Sequence, residues 1–537
     1  MNDMNGAQKT ITANCFGKGL RYVDGIGGVY TYSYNEGGDM TSYKNSDGTG
    51  ESYQYDERGN ITKLTESGGR TTTYTYNENN QLLSQISNDG TNLTYSYNEN
   101  NQLAAIASGN GVVVRYEYNE NGQIAKEIVE GLGETVYQYT DGMLTQVTDS
   151  NGNTNKFVYD SIGNVVQYTD GKGTVTDYEI APNGRVLKEI ITLPDGSKAT
   201  TGYEYDAYGN RTKVTDANGN STGYEYDKND NLIKETRADG SVISYERDVD
   251  GNITKITYPD NKTTVEAVYD TAGNLLSLKD ALKSTTVQNF NSGSRITNIQ
   301  MANGGEITYQ YYDNGLLKSE TDAMGGTITY NYDSAGRVTG ITDRMGNTTT
   351  YGYDVYGNAT TVTNAEGETV NISYNKYRQA VATTDAKGNT TQYAYDGMGN
   401  CIKTTDALGH VTEYEYNGNN EVVKVIRKGE KGNEDIVYTY AYDHLGNVTA
   451  VTDGKGNSFK MDYDKVGNLT AVYDAYGVVV ESYGYDKVYN QTSMKDAIGN
   501  DITYTYDSLG NLISMLNNSS GSLTTYTYVG GKLMNSS

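Results

Sequence analysis

Aromatic and small polar residues alternate in short bursts along this chain, each followed by a glycine-bearing polar stretch. In Thr348 to Gly367, TTTYGYDVYGNATTVTNAEG, Tyr351 and Tyr353 are separated by one small residue and preceded by β-branched threonines. That alternation predicts a strand. Asp354-Val-Tyr-Gly357 then predicts a type I turn with glycine in the left-handed region, which closes a hairpin. Asn358 to Thr363 reads as a second strand, and Asn364-Ala-Glu-Gly367 as a second turn of the same chemistry. The second strand often carries apolar residues three apart, as in Ile61 and Leu64, Ile253 and Ile256, Leu275 and Leu278, or Val448 and Val451. Runs of about six residues between glycine turns are too short for a helix. In a strand, positions three apart face opposite sides, so either both faces are partly covered or a bulge intervenes.

The burst recurs at a fixed interval. Its second aromatic falls at 34, 55, 76, 97, 118 and 139, steps of 21 residues, and continues at 159, 205, 226, 269, 312, 332, 353, 374, 395, 416, 442, 463, 485, 506 and 528. With degenerate units near Ile180, Arg247 and Phe290 there are 24 such positions. A period of this length predicts an array of supersecondary units, each buried by its neighbours. The repeat signature is carried by Tyr53, Tyr55, Asp56 and Gly59, by Tyr203, Tyr205, Asp206 and Gly209, by Tyr351, Tyr353, Asp354 and Gly357, and by Tyr504, Tyr506, Asp507 and Gly510. The steps from Ile180 to Tyr205 and from Tyr416 to Tyr442 are several residues too long. They contain Leu193-Pro-Asp-Gly196 and Arg427-Lys-Gly-Glu-Lys-Gly432, expected to be lengthened hairpin loops. The expected organisation is all-β: a short segment over 1–19, then one continuous array over 20–537 of about 24 repeats, with no separate C-terminal domain.

Composition changes the picture in one respect. Leu, Ile, Val and Phe together make only ~17% of the chain, a level typical of disorder, but there are 53 tyrosines. A tyrosine ring can bury on the order of 150 Å², so Tyr is the expected core former, its hydroxyl hydrogen-bonded in a thin or wet interior. The balance of 42 basic against 68 acidic residues, −26 overall, argues against nucleic acid and anionic membranes as partners. No run approaches the ~18 apolar residues of a transmembrane helix, and Met1 to Leu20 lacks the features of a signal peptide.

Candidate chemistry is sparse. Cys15 and Cys401 are too few and too far apart for a disulfide framework or a zinc knuckle. His410 and His444, the only histidines, occupy variable turn positions and show no triad pattern. Acid pairs are numerous because the repeat places them at turn starts. Asp227-Lys-Asn-Asp230 and Asp248-Val-Asp250-Gly251 invite a calcium reading, but the twelfth loop position counted from Asp227 is Ala238, not the required Glu. Turn capping accounts for them. The sequons Asn60-Ile-Thr62 and Asn252-Ile-Thr254 likewise fall out of the repeat. No catalytic, metal or cofactor residue is assigned, and no enzyme is expected.

The register of Tyr203 to Gly219, YEYDAYGNRTKVTDANG, resembles the YD repeat of Rhs, wall-associated and insecticidal Tc-toxin proteins and of animal teneurins. The resemblance extends over nearly the whole chain. It implies a long β-sheet spiralling into a hollow shell, cocoon-like or open, whose bacterial members enclose a C-terminal toxin. Self-cleavage at an Asp-Pro site is carried over to no residue, since the three prolines follow Ala181, Leu193 and Tyr258. The chain stops partway through a unit, after Tyr528, with no toxin domain behind it, and Leu20 to Gly27 already resembles half a repeat. Uncapped arrays expose strand edges, so the expectation is a fragment, or a piece that pairs with another chain and self-associates when alone. The expected function is a non-catalytic shell of a secreted or wall-associated toxin, its partner an effector polypeptide or another repeat-containing chain. The alternative is a cell-surface adhesion module for glycans or proteins, because rows of Tyr can stack on sugars; choline- and glucan-binding solenoids resemble a Trp-dependent pattern, and this chain has no Trp.

Overall fold

The computed structural model describes residues 10–24, 28–429, 433–529 and 532–536. Fifty strands run from Thr10–Ala13 to Lys532–Ser536, and no helix occurs among the described residues. Each strand pairs antiparallel with its neighbours in sequence, giving one long open ribbon. The ribbon starts before residue 20, because Thr10–Ala13 pairs with Gly19–Val23.

The hairpins form as the turn chemistry dictates. Between Gly50–Tyr55 and Ile61–Glu66, the Gly59 amide donates to the Asp56 carbonyl at 3.1 Å and the Asp56 amide to the Asn60 carbonyl at 2.9 Å. Gly59 has φ +85°, a conformation that costs glycine little. Across this hairpin Tyr53 faces Leu64 and Gln54 faces Lys63, but Tyr55 faces Ile61, so Thr62 is an extra residue. That β-bulge settles the three-residue spacing. It rotates the strand so that Ile61 and Leu64 both oppose tyrosines of one face. The same shift places Leu275 opposite Tyr269 and Val448 opposite Tyr442.

The long step after Ile180 differs from expectation. Leu193 to Gly196 is a tight turn, with the Gly196 amide 2.9 Å from the Leu193 carbonyl. The extra residues instead lengthen Val186–Thr192 and Lys198–Tyr205 to seven and eight residues, against five and six in Arg211–Thr215 and Ser221–Tyr226. Two residues added to each strand preserve the alternation of faces, whereas a longer loop would order more backbone without ladder bonds. In the second long step, the connection between Val422–Arg427 and Ile436–Tyr442 includes 430–432, outside the described residues.

The ribbon coils on itself. Residues 245 to 273 apart in sequence meet through their turns: the Asn151 amide donates to Asp396 at 2.9 Å, and the Tyr489 hydroxyl bonds Asp216. Successive coils are thus joined loop to loop, second turns of the first coil against first turns of the second. Strands pack only on their chain neighbours, so the wall is one sheet thick. Among the described residues the only buried apolar side chains are Ala199 and Ile243. The accessible surface is 29855 Å², where a compact protein of this mass would expose roughly 19,000 Å². Both faces of the sheet are open to solvent.

Candidate functional site

The signature residues build a wall. The hydroxyl of the second tyrosine reaches back to the preceding hairpin: Tyr55 donates to the Met40 carbonyl at 2.6 Å, Tyr205 to Val186 at 2.9 Å, Tyr353 to Val338 at 2.7 Å and Tyr506 to Gln491 at 2.8 Å. Each acceptor is the residue beside the bulge that stands opposite the equivalent position one unit earlier, as Val338 is opposite Tyr332. In the degenerate unit at Arg247, guanidinium Nε and Nη2 both lie 3.4 Å from the Leu232 carbonyl and replace the phenol. The first tyrosines cover the same face. Tyr53 bonds the Glu51 carboxylate, and burial followed by the Glu189 carboxylate pushes the Tyr203 phenol up to about 12. The Arg211 guanidinium lies 4.5 Å above the Tyr203 ring. Tyr351 and Tyr504 stand opposite Val362 and Met515.

The aspartates are consumed by their own turns. Asp56 accepts from the amides of Arg58 and Asn60, both at 2.9 Å, and from the Asn60 side chain at 3.0 Å. Those bonds from Asn60 hold its carboxyl below the usual range. Asp206 accepts from Tyr208, Gly209 and Asn210, Asp354 from Tyr356 and Asn358, and Asp507 from Leu509 and Asn511. Asp227 and Asp248 do the same with Asn231 and Asn252. Gly209, Gly357 and Gly510 close the turns with positive φ. The sequon side chains of Asn60 and Asn252 donate to Asp56 and Asp248. Carboxylates bonded this fully stabilise turns and have no lone pair aimed at a shared centre. Among the described residues no group of three or more His, Cys, Asp or Glu converges as a metal site. Among the described residues no helix is long and apolar enough to cross a membrane.

The seam between coils was not visible in the periodicity. One link is Lys172, which contacts Glu421 at 3.1 Å and donates to the Asp443 carbonyl at 2.8 Å; the Lys172 and Glu421 side chains are only 13% and 18% exposed. Asn88, Asn110 and Asn218 donate to the Ser334 carbonyl, the Lys376 carbonyl and Asp464 of the next coil. One sequence signal marks it in retrospect. The residue before the second-turn glycine is polar at many docking turns, as in Asp47, Asp89, Asn110, Asn151, Lys172 and Asn218. On the free rim of the second coil it is a large exposed apolar or aromatic residue at Met324, Met345, Leu408, Tyr476 and Ile498, each 84% to 96% exposed, and polar at Glu366, Lys387 and Lys455. His410 lies on that rim, its Nδ1 2.6 Å from Asp406, whereas His444 lines a crevice at the seam.

A solvent-open wall of tandem Tyr-Asp hairpins defines a repeat-built β-shell, and comparison with known proteins agrees. The RHS repeat family matches residues 55–92, 97–135, 182–222, 226–263 and 311–344, and the teneurin YD-shell family matches 346–474. Together these cover more than half of the chain, which belongs to the YD/RHS repeat family. Among solved structures, the Photorhabdus luminescens Tc holotoxin pore is similar at 12% identity and a TM-score of 0.55, over 97% of this chain and 40% of that one. A crystal structure of TcdB2-TccC3 is similar at 13% identity and a TM-score of 0.42, over 98% of this chain and 39% of that one. The chain therefore spans well under half the length of these structures, and the likeness to the holotoxin pore is one of fold. No curated protein matches the sequence.

Proposed function

We propose that this chain forms the non-catalytic wall of a secreted or cell-surface toxin shell, which encloses or presents an effector polypeptide that carries the activity. The open single-sheet wall coiled on itself carries the reading: among the described residues only Ala199 and Ile243 are buried apolar side chains, so both faces of the sheet are left for a guest to meet. The formal charge of −26 favours a basic cargo. Residues 20–537 act as one array in this reading, with no catalytic or cofactor site of their own. The fold shared with the Tc holotoxin pore supports it.

The test is co-expression with the polypeptide encoded next to this chain, followed by limited trypsin digestion. Cargo bound to the shell is expected to survive under conditions that digest it when free. Equal digestion rates, or an electron-microscopy reconstruction with its interior filled by the chain itself, would overturn the proposal.

A further inference from the structure

The second turns of the first coil present the residue before their glycine to the seam, and where that residue is Asp47 or Asp89 an arginine meets it. The Arg295 guanidinium pairs with Asp47 across the seam, and Arg70 stands 3.6 Å from Asp89. At the same position Asn110, Asn151 and Asn218 are neutral and donate instead, Asn110 to the Lys376 carbonyl at 2.7 Å, Asn151 to Asp396 and Asn218 to Asp464, both at 2.9 Å. Each is followed by glycine. The turns they meet differ in charge: Asn375 to Gln379 carries Lys376 and Arg378, Asp464 to Asn468 carries Lys465, and Asp396-Gly-Met-Gly-Asn400 carries no cation. Of the three, only Asn151 meets a carboxylate whose own turn supplies no positive charge.

Asp396 is ionised at neutral pH. Burial works to raise its carboxyl, but the bonds from Asn400 and then from Asn151 outweigh it and hold the group below its ordinary pKa. Its Oδ2 accepts from the Asn400 and Asn151 side chains at 3.0 and 2.9 Å, and its Oδ1 from the amides of Met398 and Asn400. A carboxylate at 151 would set acceptor against acceptor and negative charge against negative charge where a donor now sits. The link between coils would become a repulsion.

We propose that Asn151 is a self-modifying site, whose deamidation opens the seam irreversibly. The Gly152 nitrogen, deprotonated, attacks Cγ of Asn151; the N–Cγ bond forms, the Cγ–Nδ2 bond breaks, and ammonia leaves with the proton the glycine gave up. Water then opens the cyclic imide to aspartate or isoaspartate. Water is consumed, ammonia is released and a negative charge is gained. The site permits this chemistry: asparagine is thermolabile, Asn151 is exposed to water, and a Cβ on Gly152 would meet nothing within 4 Å, so the attacking nitrogen is uncrowded. While the seam is closed, the Gly152 amide donates to the Asp149 carbonyl at 3.0 Å and the Asn151 side chain is held by Asp396. The closed contact therefore slows the step, each opening exposes it, and the product cannot re-form the link. This inference does not depend on whether the coils enclose a cargo.

The whole chain should be aged at mildly alkaline pH, with conversion at each Asn-Gly pair read from peptide masses and hydrogen exchange followed in the turns at 149–153 and 396–400. Conversion of Asn151 is expected to track exchange about tenfold faster in both turns, the loss of a hydrogen bond to a charged group. Asn151→Asp should reproduce that change without ageing. Adding Asn400→Arg, which copies the place of Arg295 opposite Asp47, should reverse it. Asn121→Asp puts the same charge beside Gly122 in a first turn of the first coil, away from the seam, and should leave both turns unchanged. Unchanged exchange in Asn151→Asp, no reversal by Asn400→Arg, or an Asn151 that stays intact after Asn121 has fully converted would each overturn the assignment. If a variant fails to fold, the ageing course of the unmodified chain decides.

Discussion

The hydroxyl of Tyr76 donates to the carbonyl of Ile61 at 3.0 Å, and Ile61 is the residue beside the bulge that faces Tyr55 one hairpin earlier. Ile61 lies beyond the ladder with Thr71–Tyr76, whose pairs run from Lys63 to Thr65, and the phenol reaches its carbonyl there. The tyrosine pulse is therefore a chain of links between hairpins, each unit tied to the one before.

Removing one such hydroxyl should cost about 1 kcal/mol, the usual net worth of a hydrogen bond. Tyr353→Phe is expected to speed amide exchange in Val338–Thr342 and Thr348–Tyr353 and to leave distant repeats unchanged, because repeat arrays couple nearest neighbours. Exchange mass spectrometry measures this directly.

Phe290 offers the reverse experiment. It faces Ile296 beside its own bulge, and the carbonyl at the position fifteen residues back belongs to Leu275, which faces Tyr269 beside the preceding one. Phe290→Tyr is expected to stabilise the neighbouring hairpins by up to ~1 kcal/mol. A lower denaturant midpoint in the variant would show that the carbonyl there is not available.

Two glycines separate turn strain from seam contact. Gly357 and Gly367 have φ +85° and +81°, but a Cβ on Gly357 would lie 2.5 Å from the Asp89 carbonyl of the other coil, and one on Gly367 would meet nothing within 4 Å. Both alanine variants carry a backbone cost of about 1 kcal/mol. Only Gly357→Ala should also loosen the seam, seen as faster proteolysis at turns 87–90 and 354–357.

The ion pairs should divide by location. Lys172→Ala leaves Glu421 mostly buried without its cation and is expected to destabilise on the order of 3 kcal/mol. Lys255→Ala, which breaks the pair with Glu246 on an open sheet face, should cost far less, because water screens an exposed pair. Equal losses in urea unfolding would argue that the seam contributes no more than the surface.

Acid should undo the turns. Asn side chains and backbone amides hold the carboxyls of Asp56, Asp160, Asp343 and Asp453 below their ordinary values. A carboxyl with a depressed folded pKa contributes stability fully above its unfolded value, near ~3.9, and loses it as pH falls through the folded value. Stability is expected to be flat through neutral pH and to drop below about pH 4. Tyrosine fluorescence against pH follows the transition.

The sequence by itself determined the hairpin, its two turns, the period, and the turn-capping use of Asp56, Asp206, Asp354 and Asp507. Those features depend on residues within five positions of one another, where backbone geometry and side-chain capping act locally. Only the tertiary structure decided that Thr62 is a bulge, that Tyr76 answers the carbonyl of Ile61, and that Lys172 meets Glu421 across the coil. Such pairings depend on how a small twist per strand accumulates around a full coil, and no local pattern fixes which turns then come face to face. The longer strands of 186–205 show the same division: the extra residues were legible, but their passage across the seam to Lys465 and the crevice beside His444 came only with the coiling.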